Sequence, residues 1–106
     1  MHVLITGATG GIGQGICDAL CQAYPSIYPH LKLTVASSQS GARLEALVDR
    51  LRATGAVVHG ISGDVTQPEV CQKLIHDAIQ LNGDINALVC VAGASGPGKL
   101  ESLSIE

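Results

Sequence analysis

The sequence predicts an α/β fold: a parallel sheet with helices on both faces and the strand order 3-2-1-4. Three observations carry this. Short apolar runs begin near residues 3, 31, 56 and 85, with the length and composition of buried strands. Segments of helical periodicity separate them, and strands alternating with helices at these lengths pair in parallel through right-handed crossovers. A glycine-rich turn, Thr6-Gly7-Ala8-Thr9-Gly10-Gly11-Ile12-Gly13, joins the first run to the first helical segment.

Each element has its own signal. Val3-Leu4-Ile5 forms the first strand. Over residues 11–23 the apolar positions Ile12, Ile16, Ala19, Leu20 and Ala23 recur at helical spacing and define a face for the sheet. Pro25 and Pro29 punctuate the connection to a second strand at 31–36, which carries β-branched Thr34 and Val35. Leu44, Leu47, Val48 and Leu51 mark a second helix, ended by Gly55, and 56–61 is a third strand. Thr66-Gln67-Pro68-Glu69 reads as a capping box with proline in the tolerated first turn. It opens a third helix whose expected core face is Val70, Leu74, Ala78 and Leu81, closed by Asn82-Gly83. Residues 85–92 form a fourth strand, apolar enough to be covered on both faces. A loop at 93–98 and the opening of another helix at 100–106 follow, so the fold is expected to be truncated after its fourth strand.

The glycine turn is where chemistry enters. A buried strand delivers the chain to a point where bare backbone can approach an anion, and a helix starts there with its positive end facing outward. Gly7 permits the tight exit from the strand, Gly11 leaves room for a pyrophosphate, and Gly13 lets the helix pack closely on the strands. Thr9, Gly10 and Ile12 complete the cradle. A Walker loop would need Gly-Lys-Ser/Thr, whereas Gln14 and Gly15 follow Gly13. The turn therefore points to a dinucleotide and to a Rossmann-type sheet.

Composition narrows the classes. At 106 residues the chain is one domain, residues 1–106, with no linker. A net charge of −3 with no basic stripe argues against nucleic acid. No apolar run has the roughly 18 residues of a membrane span, and a cytoplasmic location is expected. Cys17, Cys21, Cys71 and Cys90 show no zinc-type spacing and read as small buried hydrophobes; no metal site is expected. His2, His30, His59 and His76 are scattered and read as surface or strand-edge residues. With Phe and Trp absent, the core must be aliphatic.

Three motifs, Thr6 to Gly13, Asp64-Val65 after the third strand, and Val91-Ala92-Gly93 after the fourth, resemble the short-chain dehydrogenase/reductase family over essentially the whole chain. The resemblance implies that the glycine turn holds the cofactor pyrophosphate and that Asp64, with Val65 beside it, meets the adenine. The family's Asn-Asn-Ala-Gly motif lines the cofactor; here it reads Cys90-Val91-Ala92-Gly93. Both amides are missing, so any support they give must come from backbone groups, while Ala92 and Gly93 keep the close approach. Gly7-x-x-Gly10-x-x-Gly13 also satisfies the spacing of the family's extended branch, which includes sugar-nucleotide epimerases. Gly63-Asp64-Val65, residues 88–93 and Leu100-Glu101-Ser102-Leu103 resemble the shorter oxidoreductase branch instead.

An acid at the end of the second strand would hold the NAD ribose and exclude a 2′-phosphate. None is present. The stretch Ala36-Ser37-Ser38-Gln39-Ser40-Gly41-Ala42 resembles NADPH-dependent 3-oxoacyl-carrier-protein reductases. Ser37 and Ser38 can donate hydroxyls and Arg43 is near, which favours NADP over NAD; Ser40 can equally serve as a helix cap. The family's catalytic serine and Tyr-x-x-x-Lys pair have no counterpart here, since Tyr24 and Tyr28 lie early and lack the lysine. No catalytic residue is assigned. The expected function is the NAD(P)-binding part of a short-chain oxidoreductase, acting on a carbonyl or alcohol only in a complete protein. The alternatives are a non-catalytic nucleotide-binding or regulatory module and a non-functional truncated product. An open edge on the fourth strand predicts self-association.

Overall fold

The computed structural model describes residues 1–38 and 41–91. Seven elements follow in order: β1 (His2–Thr6), α1 (Gly11–Gln22), β2 (Lys32–Ser37), α2 (Ala42–Arg52), β3 (Val57–Ser62), α3 (Pro68–Asn82) and β4 (Ala87–Cys90). The four strands form one parallel sheet in the order β3-β2-β1-β4. The expected strand order is thus observed. No described helix is long and apolar enough to cross a membrane.

Two cores sandwich the sheet. On one face Val3, Ile5, Leu33, Val35 and Val58 pack against Cys17 and Cys21 of α1 and the Leu44, Leu47, Val48 and Leu51 stripe of α2. On the other, Leu4 and Ala36 meet Ala78 of α3, with Ile61, Ile75, Ile85 and Leu88 partly buried around them. Alternation along each strand divides its side chains between these cores. The core is aliphatic, as the composition requires.

Helix faces depart from the expected ones. α1 buries Gly13, Cys17 and Cys21, with Ile16 and Leu20 of the expected face packed partly buried beside them, while Ile12 is 58% exposed and Ala19 is exposed. The cause is Gly13: a Cβ there would lie 2.2 Å from the Gly7 carbonyl oxygen. This contact turns α1 so that positions four residues apart from Gly13, rather than the Ile12 and Ala19 face, lie on the sheet. In α3 the buried positions are Leu74, Ala78 and Asn82, and Leu81 is 43% exposed.

The capping box does not form. Gln67 is the N-cap of α3 and makes no side-chain cap; the Thr66 hydroxyl instead donates to Asp64. β4 is half-buried along its length, less covered than expected, because its outer edge has no neighbouring strand among the described residues. The fourth-strand residue Ala92 and everything after it lie outside the described residues.

His2 is buried, against expectation, because polar partners surround it. Its Nδ1 lies 2.9 Å from the Gly83 carbonyl and its Nε2 2.7 Å from the Thr34 hydroxyl. A carbonyl can only accept, so Nδ1 carries a proton and donates to Gly83. Asn82 Nδ2 donates to the same Thr34 oxygen (3.0 Å) and to the Leu33 carbonyl (3.1 Å), and Asn82 Oδ1 faces His59 Nδ1 (3.1 Å). The end of α3 is thereby pinned to three strands.

Candidate functional site

Because every strand is parallel, the C-terminal ends share one edge of the sheet. Thr6 pairs with Ala36 on one side and with Cys90 on the other, and Ser37 pairs with Ser62. The turn after β1, Ser37 and Ser38, the Asp64-Val65 segment after β3, and Cys90 are therefore gathered along that edge. Gln39, Ser40, Ala92 and Gly93 lie outside the described residues.

The turn is built from backbone. Gly7 leaves β1 with φ at 69°, a conformation that favours glycine. The Ala8 amide donates to the Ala36 carbonyl (3.0 Å) and the Gly10 amide to the Gly7 carbonyl (3.2 Å). The bond from the Gln14 amide to the Gly10 carbonyl, 2.9 Å, starts the ladder of α1. The amides of Gly11, Ile12 and Gly13 precede it, so helix geometry gives them no intrahelical acceptor. Gly10, the N-cap, supplies no side-chain cap, and the first turn holds no acid. By contrast, α2 and α3 carry Glu45 and Glu69 in their first turns.

Above Gly11 the space is open: a Cβ there would meet nothing within 4 Å. Ile12 stands exposed beside it. Donors without intrahelical acceptors, a positive helix end and an open approach fit a pyrophosphate, and no carboxylate in the first turn opposes it.

Thr9 ties the turn to its surroundings. Its hydroxyl lies 3.2 Å from that of Ser37, and its carbonyl accepts from Gln14 Nε2 (2.7 Å) and Arg43 Nη2 (3.1 Å). Ser37 is buried, with its side chain turned to the glycine turn, and its carbonyl accepts from the Gly63 amide. Ser38 is exposed. Arg43 thus reaches the turn, as its position suggests.

Gln14 and Arg50 were not visible as site residues. Arg50 donates to Gln14 Oε1 (3.0 Å) and to Asp18 Oδ1 (2.5 Å). The available signal was the four-residue spacing of Gln14 and Asp18, which places both on one face of α1.

Asp64 is exposed at the edge. Its Oδ1 accepts from the Thr66 hydroxyl (2.6 Å) and amide (3.0 Å). These bonds, the hydroxyl foremost, hold its carboxyl below the ordinary aspartate range. Val65 and Cys90 line a cavity of about 140 Å³ beneath the sheet edge, together with Thr6 and Cys71. The Thr6 hydroxyl is buried and has no hydrogen-bond partner among the described residues. Opposite it stands Cys90, where the resemblance implies an asparagine. The Val91 amide donates to the Thr6 carbonyl at 3.2 Å, so backbone joins β4 to β1 there.

The thiols divide into two pairs. Cys17 and Cys21 are buried, and burial pushes the Cys17 thiol up to about 12 and raises that of Cys21. They are inert apolar fillers. Cys71 and Cys90 are half-buried, more open than expected because both line that cavity. Among the described residues no group of three or more His, Cys, Asp or Glu side chains could hold a metal ion.

Known proteins resemble this chain in sequence and fold. The short chain dehydrogenase family matches residues 1–106. A sepiapterin reductase of Chlorobaculum tepidum is 34% identical over 98% of this chain and 43% of its own length. An uncharacterised oxidoreductase of Mycobacterium tuberculosis is 29% identical over 95% of this chain and 36% of its own. The crystal structure of a Burkholderia phymatum short chain dehydrogenase/reductase in complex with NAD superposes with a TM-score of 0.70 at 31% identity, covering 82% of this chain and 28% of that one. A double mutant of a Serratia marcescens short-chain dehydrogenase/reductase shares the fold, with a TM-score of 0.77 at 23% identity over 97% of this chain and 40% of that one. The chain thus spans well under half the length of these relatives. With a glycine turn of this geometry on a 3-2-1-4 parallel sheet, and a family match along all of its residues, the chain belongs to the short-chain dehydrogenase/reductase family.

Proposed function

We propose that this chain is the dinucleotide-binding part of a cytoplasmic NAD(P)-dependent oxidoreductase, with NADP the preferred cofactor. One observation carries the proposal: the start of α1 offers amides without intrahelical acceptors, uncapped and unopposed by any acid in its first turn, under open space at Gly11. Gly7, Thr9, Gly10, Gly11, Ile12 and Gly13 would hold the pyrophosphate. Ser38 and Arg43, braced by Ser37, would face the 2′-phosphate, Asp64 and Val65 the adenine, and Cys90, Ala92 and Gly93 the remainder of the cofactor. The Burkholderia phymatum relative, solved with NAD, supports the dinucleotide class. The absence of an acid from Ala36-Ser37-Ser38 supports NADP. Four free thiols suit a reducing compartment.

A bound nicotinamide supplies hydride chemistry. The residues here bind and orient it. Reduction of a carbonyl or oxidation of an alcohol belongs to a whole protein in which this chain is joined to the family's serine and tyrosine–lysine pair. A second proposal, a non-catalytic nucleotide-binding module, is favoured by Cys90 in place of an asparagine opposite the unpartnered Thr6 hydroxyl.

Titration calorimetry tests the shared part. Saturable binding is expected, about tenfold tighter for NADPH than for NADH, the size of one charge-assisted contact. Binding of neither overturns both proposals. Carbonyl reduction by the 106-residue chain alone would overturn the assignment of catalysis to residues outside it.

A further inference from the structure

We infer that Gln14 and Arg50 are positioning residues: they hold the Thr9 carbonyl so that Arg43 can leave it for the cofactor's 2′-phosphate. This rests on the proposed preference for NADP. The Thr9 carbonyl accepts two hydrogen bonds, one from Arg43 at 3.1 Å and one from Gln14 at 2.7 Å. Arg43 is exposed at the rim of the turn, and its contact there is a neutral carbonyl. A phosphate offers its planar fork a charge-assisted, bidentate pairing that one carbonyl oxygen cannot match. On meeting a 2′-phosphate the guanidinium trades one for the other, and Gln14 alone is left on Thr9.

A free glutamine side chain on a helix surface would hold that carbonyl poorly, because several torsions must be frozen. Gln14 is not free. Its Oε1 accepts from Arg50 Nη2 at 3.0 Å, and Arg50 Nη1 donates to Asp18. A guanidinium can only donate and the Thr9 carbonyl can only accept, so both ends of the Gln14 amide are assigned by chemistry. Gln14 and Asp18 lie one turn apart on α1, and Arg43 and Arg50 two turns apart on α2. The second helix thus reaches Thr9 by a direct contact and by a relay, and the relay stays in place when the direct contact is given up. Exposed ion pairs contribute little to global stability, so the effect belongs in cofactor discrimination.

Gln14→Ala and Arg50→Ala variants of the full chain, titrated with NADPH and with NADH, test this. Each is expected to weaken NADPH binding about three- to tenfold, the range for one hydrogen bond, and NADH binding by less than about twofold. The double variant should lose no more than either single one. Equal losses for both cofactors, or no loss, overturn the relay while leaving the dinucleotide site standing. Amide exchange at Ala8 and Gly10, the hydrogen-bonded amides of the turn, gives a second measurement without cofactor: both single variants should speed it by a similar factor, and the double variant no further. If the unaltered chain binds neither dinucleotide, the proposed function falls and takes the cofactor role of the relay with it. Unchanged exchange in both variants would show instead that the relay does not hold the turn.

Discussion

At Gly13 a single methyl group decides whether the first helix can dock. A Cβ would sit 2.2 Å from the Gly7 carbonyl oxygen and 2.8 Å from the Ala8 Cα, both backbone atoms with no rotamer to yield. At Gly11 the same methyl would meet nothing within 4 Å. One glycine serves packing and the other borders open space, where the proposed cofactor would sit. Gly13→Ala is therefore expected to destabilise the chain by about 3 kcal/mol, at the upper end of overpacking costs. Gly11→Ala should leave stability within about 1 kcal/mol of the original, since alanine is the better helix former. It should nevertheless weaken NADPH binding by filling the approach to the backbone. Thermal melts and calorimetry on the two variants check this together; undiminished NADPH affinity in Gly11→Ala would remove Gly11 from the site.

The elements show which information was local and which was not. Strand order and helix placement were legible because apolar runs and helical stripes alternate along the chain, and Leu44, Leu47, Val48 and Leu51 proved buried as a set. The glycine turn was legible because Gly7 takes a positive φ and Gly13 has no room for a Cβ. The rotation of α1 was not, since it depends on a contact between Gly13 and Gly7 that hydrophobic periodicity does not record. The end of α3 was likewise hidden: Asn82 looks like a helix terminator, yet its amide joins the Leu33 carbonyl, the Thr34 hydroxyl and His59 across two strands. The Gln14–Arg50 relay joins residues 36 positions apart and leaves no periodic trace. Asn82→Ala should cost about 2–3 kcal/mol, because it leaves buried polar partners unpaired. Asn82→Asp should cost at least as much, since a carboxylate cannot donate to the Leu33 carbonyl. Chemical denaturation of the two variants measures both losses; a change below about 0.5 kcal/mol in either would mean that the network around His2 and Thr34 does not hold α3.

For the molecule as a whole, coverage of the sheet falls off from the central strands toward both edges. β1 is buried throughout, with β2 and β4 as its neighbours, whereas β4 is half-buried at every position and pairs only through its β1 side among the described residues. The opposite edge, β3, has α2 packed against it, buries Val58 and leaves Val57, Gly60 and Ser62 exposed. An edge made of Ala87, Leu88, Val89 and Cys90 carries no charge and no proline, the two features that most simply prevent strands from pairing between molecules. Its outward amides and carbonyls can be satisfied by another copy of the same edge, and the apolar side chains flanking them would gain burial in the same step. The 106-residue chain is therefore expected to self-associate as its concentration rises. Sedimentation velocity over a concentration series should show species heavier than the monomer, and their fraction should grow with concentration. A single monomeric boundary across the whole series would mean that the β4 edge is covered, and the expectation would fail.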